Sequence, residues 1–252
     1  MEQEIQAYMR LAASRDRETE QVGPFLATYT AHTEMTYLNY AIPSDGAQPT
    51  PEDIDALFAS FRAHLRAPRL EYIPSLSPGV EPALLAAGFT PEGTYPLMVL
   101  DNEKPFTPPI PEGFEIIMAQ TDEDFLATLI AQYAAYDELT IPGDEDIERM
   151  RESVAAGGIA VYALETASGV PAGGGICVPP HGGVTELAGV GVPEAFRRRG
   201  IGAAVTAKLV DQAKAAGTQT IFISPADEHV ERIYSKVGFK AVSSVLHISK
   251  LR

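Results

Sequence analysis

The stretch Val184-Thr-Glu-Leu-Ala-Gly-Val-Gly-Val-Pro-Glu-Ala-Phe-Arg-Arg-Arg-Gly-Ile-Gly-Ala203 constrains this chain more than any other. It opens as an apolar strand, breaks at Pro193 and passes through Arg197, Arg198 and Arg199 into Gly200-Ile-Gly202. A helical pattern follows at once, with Ile201, Val205 and Leu209 on one face and a stop at Gly217. A strand feeding a basic glycine turn and a helix start is an arrangement for holding a polyphosphate. Glycine lets the backbone approach the anion, and the first helical N–H groups point at it with the positive end of the dipole behind them. A dinucleotide turn of the Gly-x-Gly-x-x-Gly kind is not met, because Val205 stands where the third glycine would be.

The rest of the composition narrows the partners. The formal net charge of −15 argues against nucleic acid, which needs a basic surface. The arginine triplet is the densest positive cluster against that background, so it suits a local anion. No apolar run approaches the ~20 residues that cross a bilayer, and Met-Glu-Gln-Glu-Ile at the start carries acid where a signal peptide carries lysine. The single cysteine, Cys177, lies in the apolar run Gly175-Ile-Cys-Val178 with no metal-ligand spacing around it and reads as a core residue. These features predict a cytoplasmic protein, a monomer or homodimer, with no membrane and no nucleic-acid partner.

Along the chain, residues 1–20 read as a helix, with strands over 24–30 and 35–42. Thr50-Pro51-Glu-Asp53 signals a helix start, and Ile54, Leu57, Phe58, Phe61 and Leu65 give that helix its apolar face. A strand over 70–73, a helix opened by Ser77-Pro78, a stop at Gly88-Phe89 and a strand over 95–100 complete the half. The Pro-rich stretch between Asp101 and Gly113 reads as a linker. This predicts one domain over 1–108 and another over 109–252. The second half starts with a strand over 114–118, a helix capped by Thr121 and a helix after Pro142-Gly143. Strands over 158–165 and 174–178 precede the opening stretch. A strand over 220–223, a helix after Ser224-Pro225 that stops at Gly238-Phe239, and two closing strands follow it. Helices alternating with strands predict an α/β chain with a mixed sheet and helices on both faces.

Two motifs then resemble one family. Arg197-x-x-Gly200-x-Gly202 resembles the acyl-coenzyme A pyrophosphate loop of the GNAT N-acetyltransferase superfamily, and Ile233-Tyr234-Ser-Lys-Val-Gly238-Phe239 resembles its Leu-Tyr-x-Lys-x-Gly-Phe segment. The resemblance covers roughly residues 113–252 and implies the GNAT acyl-CoA N-acyltransferase fold, acetyl-CoA as cosubstrate without a metal, and a small-molecule primary amine as acceptor. By the same resemblance Arg197, Arg198, Arg199, Gly200, Ile201, Gly202 and Ala203 would hold the pyrophosphate, and Val190, Gly191 and Val192 would offer backbone groups to the pantetheine arm. Asp227 stands where the family often has an Asn on that arm. Glu186 would be the general base and Tyr234 the acid that protonates the leaving sulfur. A regular strand would put Glu186, Ala188, Val190 and Val192 on one face, and the bulge that the family carries there would change the face downstream. The acceptor region would draw on Tyr133, Tyr136, Asp137, Glu138 and the 179–183 loop with His181.

An internal repeat adds to this. At a shift of about 150 residues, Met35–Pro43 falls on Thr185–Pro193, Leu70–Ile73 on Thr220–Ile223 and Gly88-Phe89 on Gly238-Phe239. The first half therefore resembles a second, shorter GNAT-like unit. Ala47-Gln-Pro-Thr-Pro-Glu52 replaces the arginine–glycine loop and Leu84 replaces Tyr234, so this half is expected to bind no coenzyme. Two functions fit the residues: an acetyl-CoA-dependent N-acetyltransferase, and a coenzyme-binding sensor or docking module without turnover.

Overall fold

The structure is a computed structural model and describes residues 1–31, 36–101, 107–138, 140–226 and 228–250. The chain forms two compact units, one of residues 1–97 with 241–252 and one of residues 98–240. The boundary expected at 108/109 assigned the whole C-terminal segment to the second half. The backbone pairs differently: residues 246–249 form a ladder with Tyr72–Arg69 of the first unit, while Met98 and Val99 pair with Ile223 and Phe222 of the second.

The first unit contains α1 (Glu2–Ala13), β1 (Glu18–Val22), β2 (Phe25–Tyr29), β3 (Tyr40–Pro43), α2 (Pro51–Ala63), β4 (Arg69–Tyr72), α3 (Val80–Ala86) and the first part of β5 (Thr90–Leu100). Its sheet is completed by the later part of β11 (Phe239–Ser249), antiparallel to β4. Helix α1 ends at Ala13, and residues 18–20, expected to be helical, instead belong to β1, which forms a hairpin with β2. The strand expected over 35–42 forms only from Tyr40, after a 3-10 turn at Thr36–Leu38. Phe25, Ile42, Leu57, Phe61, Leu70 and Leu84 are fully buried and form the core under α2 and α3. Each such aliphatic or aromatic side chain contributes about 1.5–3 kcal/mol by leaving water.

The second unit contains β6 (Phe114–Met118), α4 (Asp122–Ala135), α5 (Asp144–Ala155), β7 (Ile159–Glu165), β8 (Val170–Cys177), β9 (Val184–Gly191), α6 (Ile201–Ala215), β10 (Thr220–Ile223) and α7 (Glu228–Val237). Strands β6 to β9 run antiparallel in sequence, and β10 joins β9 in parallel. The residues after α7 form one long strand, not the two expected. Phe125, Leu129 and Met150 pack α4 and α5 with Ala160 and Tyr162 of β7, while Leu187, Val205, Leu209 and Ile221 belong to a second cluster around α6. The sheet thus has helices on both faces, as the alternating pattern requires. Cys177 is buried in this second cluster, and burial pushes its thiol up to about 12, as befits a core residue. Among the described residues no helix is long and apolar enough to cross a membrane.

Candidate functional site

The site is built where β9 leaves β10. Their parallel ladder joins Val184 to Thr220, Thr185 to Ile221 and Glu186 to Phe222, and no further pair is formed. The edge of β9 from Leu187 onward is thus left without a ladder pair on the β10 side, an opening in the ladder with Glu186 at its closed end. On its other side β9 stays paired with β8, but with a shift: Ile176 faces Ala188 whereas Gly174 faces Gly191. One extra residue on β9 is the signature of a β-bulge. Gly189 takes a left-handed φ of +59°, which a residue with a Cβ adopts only with strain. The bulge turns Val190 and Val192 onto the cluster that contains Leu187. The single face expected for Glu186, Ala188, Val190 and Val192 in a regular strand is therefore broken after Ala188, because the extra residue shifts the alternation by one.

The far end of the opening is the arginine loop. Arg197 donates from Nε to the Val192 carbonyl at 3.0 Å and from Nη2 to the Ala135 carbonyl at 3.1 Å. The second acceptor is one of the carbonyls that the end of α4 leaves without a helical partner. Arg199 lies 4.4 Å over the Phe114 ring and 3.4 Å from the Glu165 carboxylate. Two of the three arginines thus anchor the loop to its own unit. Arg198 is exposed, sits in a left-handed conformation with φ +64°, and makes no hydrogen bond or ion pair among the described residues. Gly200, also left-handed at φ +85°, is the N-cap of α6.

No side chain caps that helix, and its first turn holds no acidic residue. The N–H groups of Ile201, Gly202 and Ala203 are therefore presented bare at a positive dipole end. The start of α2 in the first unit is the reverse. Thr50 and Asp53 form a complete capping box on α2, Pro51 has no N–H to give, and Glu52 adds a second negative charge. Its strands β3 and β4 form one parallel pair, Ala41 with Leu70. Beyond them the fully buried Gln6 of α1 accepts from the Ile73 N–H at 2.8 Å and donates to Asp45 at 2.7 Å.

Tyr234 of α7 is 4% exposed, and its ring meets Phe239 edge-on at 6.0 Å. Burial, with a smaller contribution from Tyr136, raises its phenol well above the ordinary value, so it stays protonated at neutral pH. Its hydroxyl has no hydrogen-bond partner among the described residues. Tyr136, at the end of α4, donates to the Val190 carbonyl at 3.2 Å. Tyr136 thus links the neighbourhood of Tyr234 to the bulge. Asp227 lies outside the described residues. Tyr133 is pushed up to about 12 by burial and by its hydrogen bond to Asp146. Asp137 and Glu138 are exposed, and His181 is exposed and bridges to Val184.

Gln132 was not singled out from the sequence, yet it donates to the Gly189 carbonyl at 2.9 Å. Its signal was a polar residue on the helical stripe that runs through Phe125, Leu129 and Tyr136. The donor set suits coenzyme A: bare helical N–H groups and a free guanidinium for the pyrophosphate, and an open strand edge for the amide-bearing arm.

Residues 119–239 match the family model of the Acetyltransferase (GNAT) family. Among solved structures, a GCN5-related N-acetyltransferase from Kribbella flavida is similar with a TM-score of 0.82 at 23% identity, covering 100% of this chain and 96% of that one. A GCN5-related N-acetyltransferase from Sphaerobacter thermophilus is similar at 0.67 and 18% identity, over 90% of this chain and 76% of that one. A tandem GNAT protein from the clavulanic acid biosynthesis pathway is similar at 0.65 and 12% identity, over 90% and 78% of the respective chains. No curated protein matches the sequence. The segment that carries the opening thus lies within the residues that this family model matches, and the chain has the mixed α/β fold of these solved structures.

Proposed function

We propose that this chain is an acetyl-CoA-dependent N-acetyltransferase that acts on the primary amine of a small molecule, with one coenzyme site per chain. One observation carries the reading: β9 parts from β10 at Glu186, and the helix that follows starts with bare N–H groups beside an uncommitted arginine. Bound acetyl-CoA supplies a thioester, which an amine attacks directly. Arg198 and the N–H groups of Ile201 to Ala203 hold the pyrophosphate, while the bulged edge of β9 receives the pantetheine arm. An alkylamine arrives as an ammonium of pKa near ~10 and must lose a proton before attack. Glu186, at the closed end of the opening, takes that proton directly or through water. The N–H groups of the bulge donate to the oxygen on which negative charge develops. Tyr234, still protonated, hands its proton to the departing sulfur.

The first unit is read as a GNAT-like unit that has lost its coenzyme site. Its capping box and Pro51 consume or remove the donors that a pyrophosphate needs, and Gln6 fills the backbone positions that an amide-bearing arm would use. Release of free thiol from acetyl-CoA across a panel of small amines tests the transferase reading. Turnover should fall by about 100-fold in Glu186→Gln and by about 10- to 100-fold in Tyr234→Phe, with the thermal midpoint little changed. Binding of acetyl-CoA with no thiol release by any amine would leave the coenzyme-binding module as the function.

A further inference from the structure

Helix α4 buries Phe125 and Leu129 along one stripe, and the next position of that stripe holds the amide of Gln132. That amide reaches out of its helix to the Gly189 carbonyl at 2.9 Å, and one turn later Tyr136 reaches the Val190 carbonyl at 3.2 Å. In a regular strand successive carbonyls point to opposite edges. Here two successive carbonyls are bound by donors of the same helix, a consequence of the left-handed Gly189. No described peptide bond is cis, and in a trans peptide the N–H points opposite to the C=O of the same plane. The N–H group of Val190, which shares its peptide plane with the Gly189 carbonyl, is therefore turned away from Gln132, while Gly191 stays paired with Gly174 of β8. A Cβ on residue 189 would lie 2.4 Å from Gln132 Nε2, so glycine and glutamine at these positions fit each other.

We propose that Gln132 is a positioning residue, which acts through the Gly189 carbonyl to aim the N–H group of Val190 at the acetyl carbonyl. The inference rests on the reading of the opening as an acetyl-CoA site. It is tested by the binding of acetyl-CoA and of free CoA, measured by calorimetry, together with kcat and KM, in Gln132→Met and Gln132→Glu. Free CoA lacks the carbonyl and should bind both variants almost as it binds the wild type. The advantage of acetyl-CoA over CoA should shrink roughly 3- to 10-fold in Gln132→Met, and kcat should drop by about 10- to 100-fold with little change in the KM of the amine. Gln132→Glu should match Gln132→Met at pH 8, where a carboxylate cannot donate. It should regain acetyl-CoA affinity relative to wild type toward pH 5, as the protonated carboxyl becomes a donor and Gln132→Met stays flat. Equal losses for CoA and acetyl-CoA with no recovery in Gln132→Glu, or wild-type kcat in both variants, would overturn the inference and leave the coenzyme reading standing. A wild-type protein that binds no acetyl-CoA would overturn the coenzyme reading and this inference with it.

Discussion

Arg198 is held at φ +64° in the middle of the arginine loop, a conformation that costs a residue with a Cβ roughly 1 kcal/mol or more. Its neighbours explain why it stays there. Arg197 is tied to the carbonyls of Val192 and Ala135, and Arg199 is held on Phe114 and Glu165, so the residue between them has no freedom to relax. Strain of this kind persists where a function requires the side chain. Arg198→Gly should therefore stabilise the protein by about 0.5–1 kcal/mol in urea denaturation and weaken acetyl-CoA by roughly 3- to 10-fold in calorimetry. If binding is unchanged, Arg198 does not contact the coenzyme. The sequence placed three equivalent arginines at this site. The structure divides them, because a carbonyl at the end of α4 and an aromatic ring on β6 compete for two of them, and neither partner is near them in the chain.

At the scale of elements, the site depends on α4 keeping its register under the bulge, and its capping box fixes that register. Asp124 accepts from the N–H groups of Gln120 and Thr121, each at 3.0 Å, and from the Tyr162 hydroxyl at 2.9 Å. Burial alone would raise its carboxyl, but these hydrogen bonds outweigh burial and hold it below the usual range. A depressed pKa stabilises the fold above the unfolded value of ~3.9, and the stabilisation is lost as pH falls through the folded value. Asp124→Ala should cost about 1 kcal/mol at pH 6, and the difference from wild type should close as urea titrations are carried below pH 4. A cost independent of pH would mean that packing, not charge, is what Asp124 supplies. The Thr121 cap was legible, since it lies directly ahead of an apolar helical pattern, whereas its partner Asp124 was not read as part of a box. So were β9, the glycine turn, α6 and α7, each signalled within a dozen residues. The bulge partners Gln132 and Tyr136 were not, because residues 132 and 189 meet only after α4 has packed across the sheet. Local pattern also failed at residues 18–20, where pairing with β2 overrides a polar segment that continues a helix in composition.

For the whole molecule, the ladders cross the boundary that the Pro-rich linker suggested. The first unit takes residues 246–249 as the partner of β4, and the second takes Met98 and Val99 as the partner of β10. Fragments 1–108 and 109–252 would each lack a strand and expose an unpaired edge. Neither should unfold cooperatively when expressed alone; cooperative melting of either fragment at the midpoint of the intact protein would contradict this. The same chain carries two helix starts of opposite kind, α2 capped by its own side chains and α6 bare. A single coenzyme site per chain follows from that contrast, and the stoichiometry of acetyl-CoA binding measures it. Titration calorimetry of the intact protein should give one site per chain, abolished by Gly202→Glu, which sets a carboxylate among the bare N–H groups of α6. Two sites per chain, or one site that survives Gly202→Glu, would contradict it.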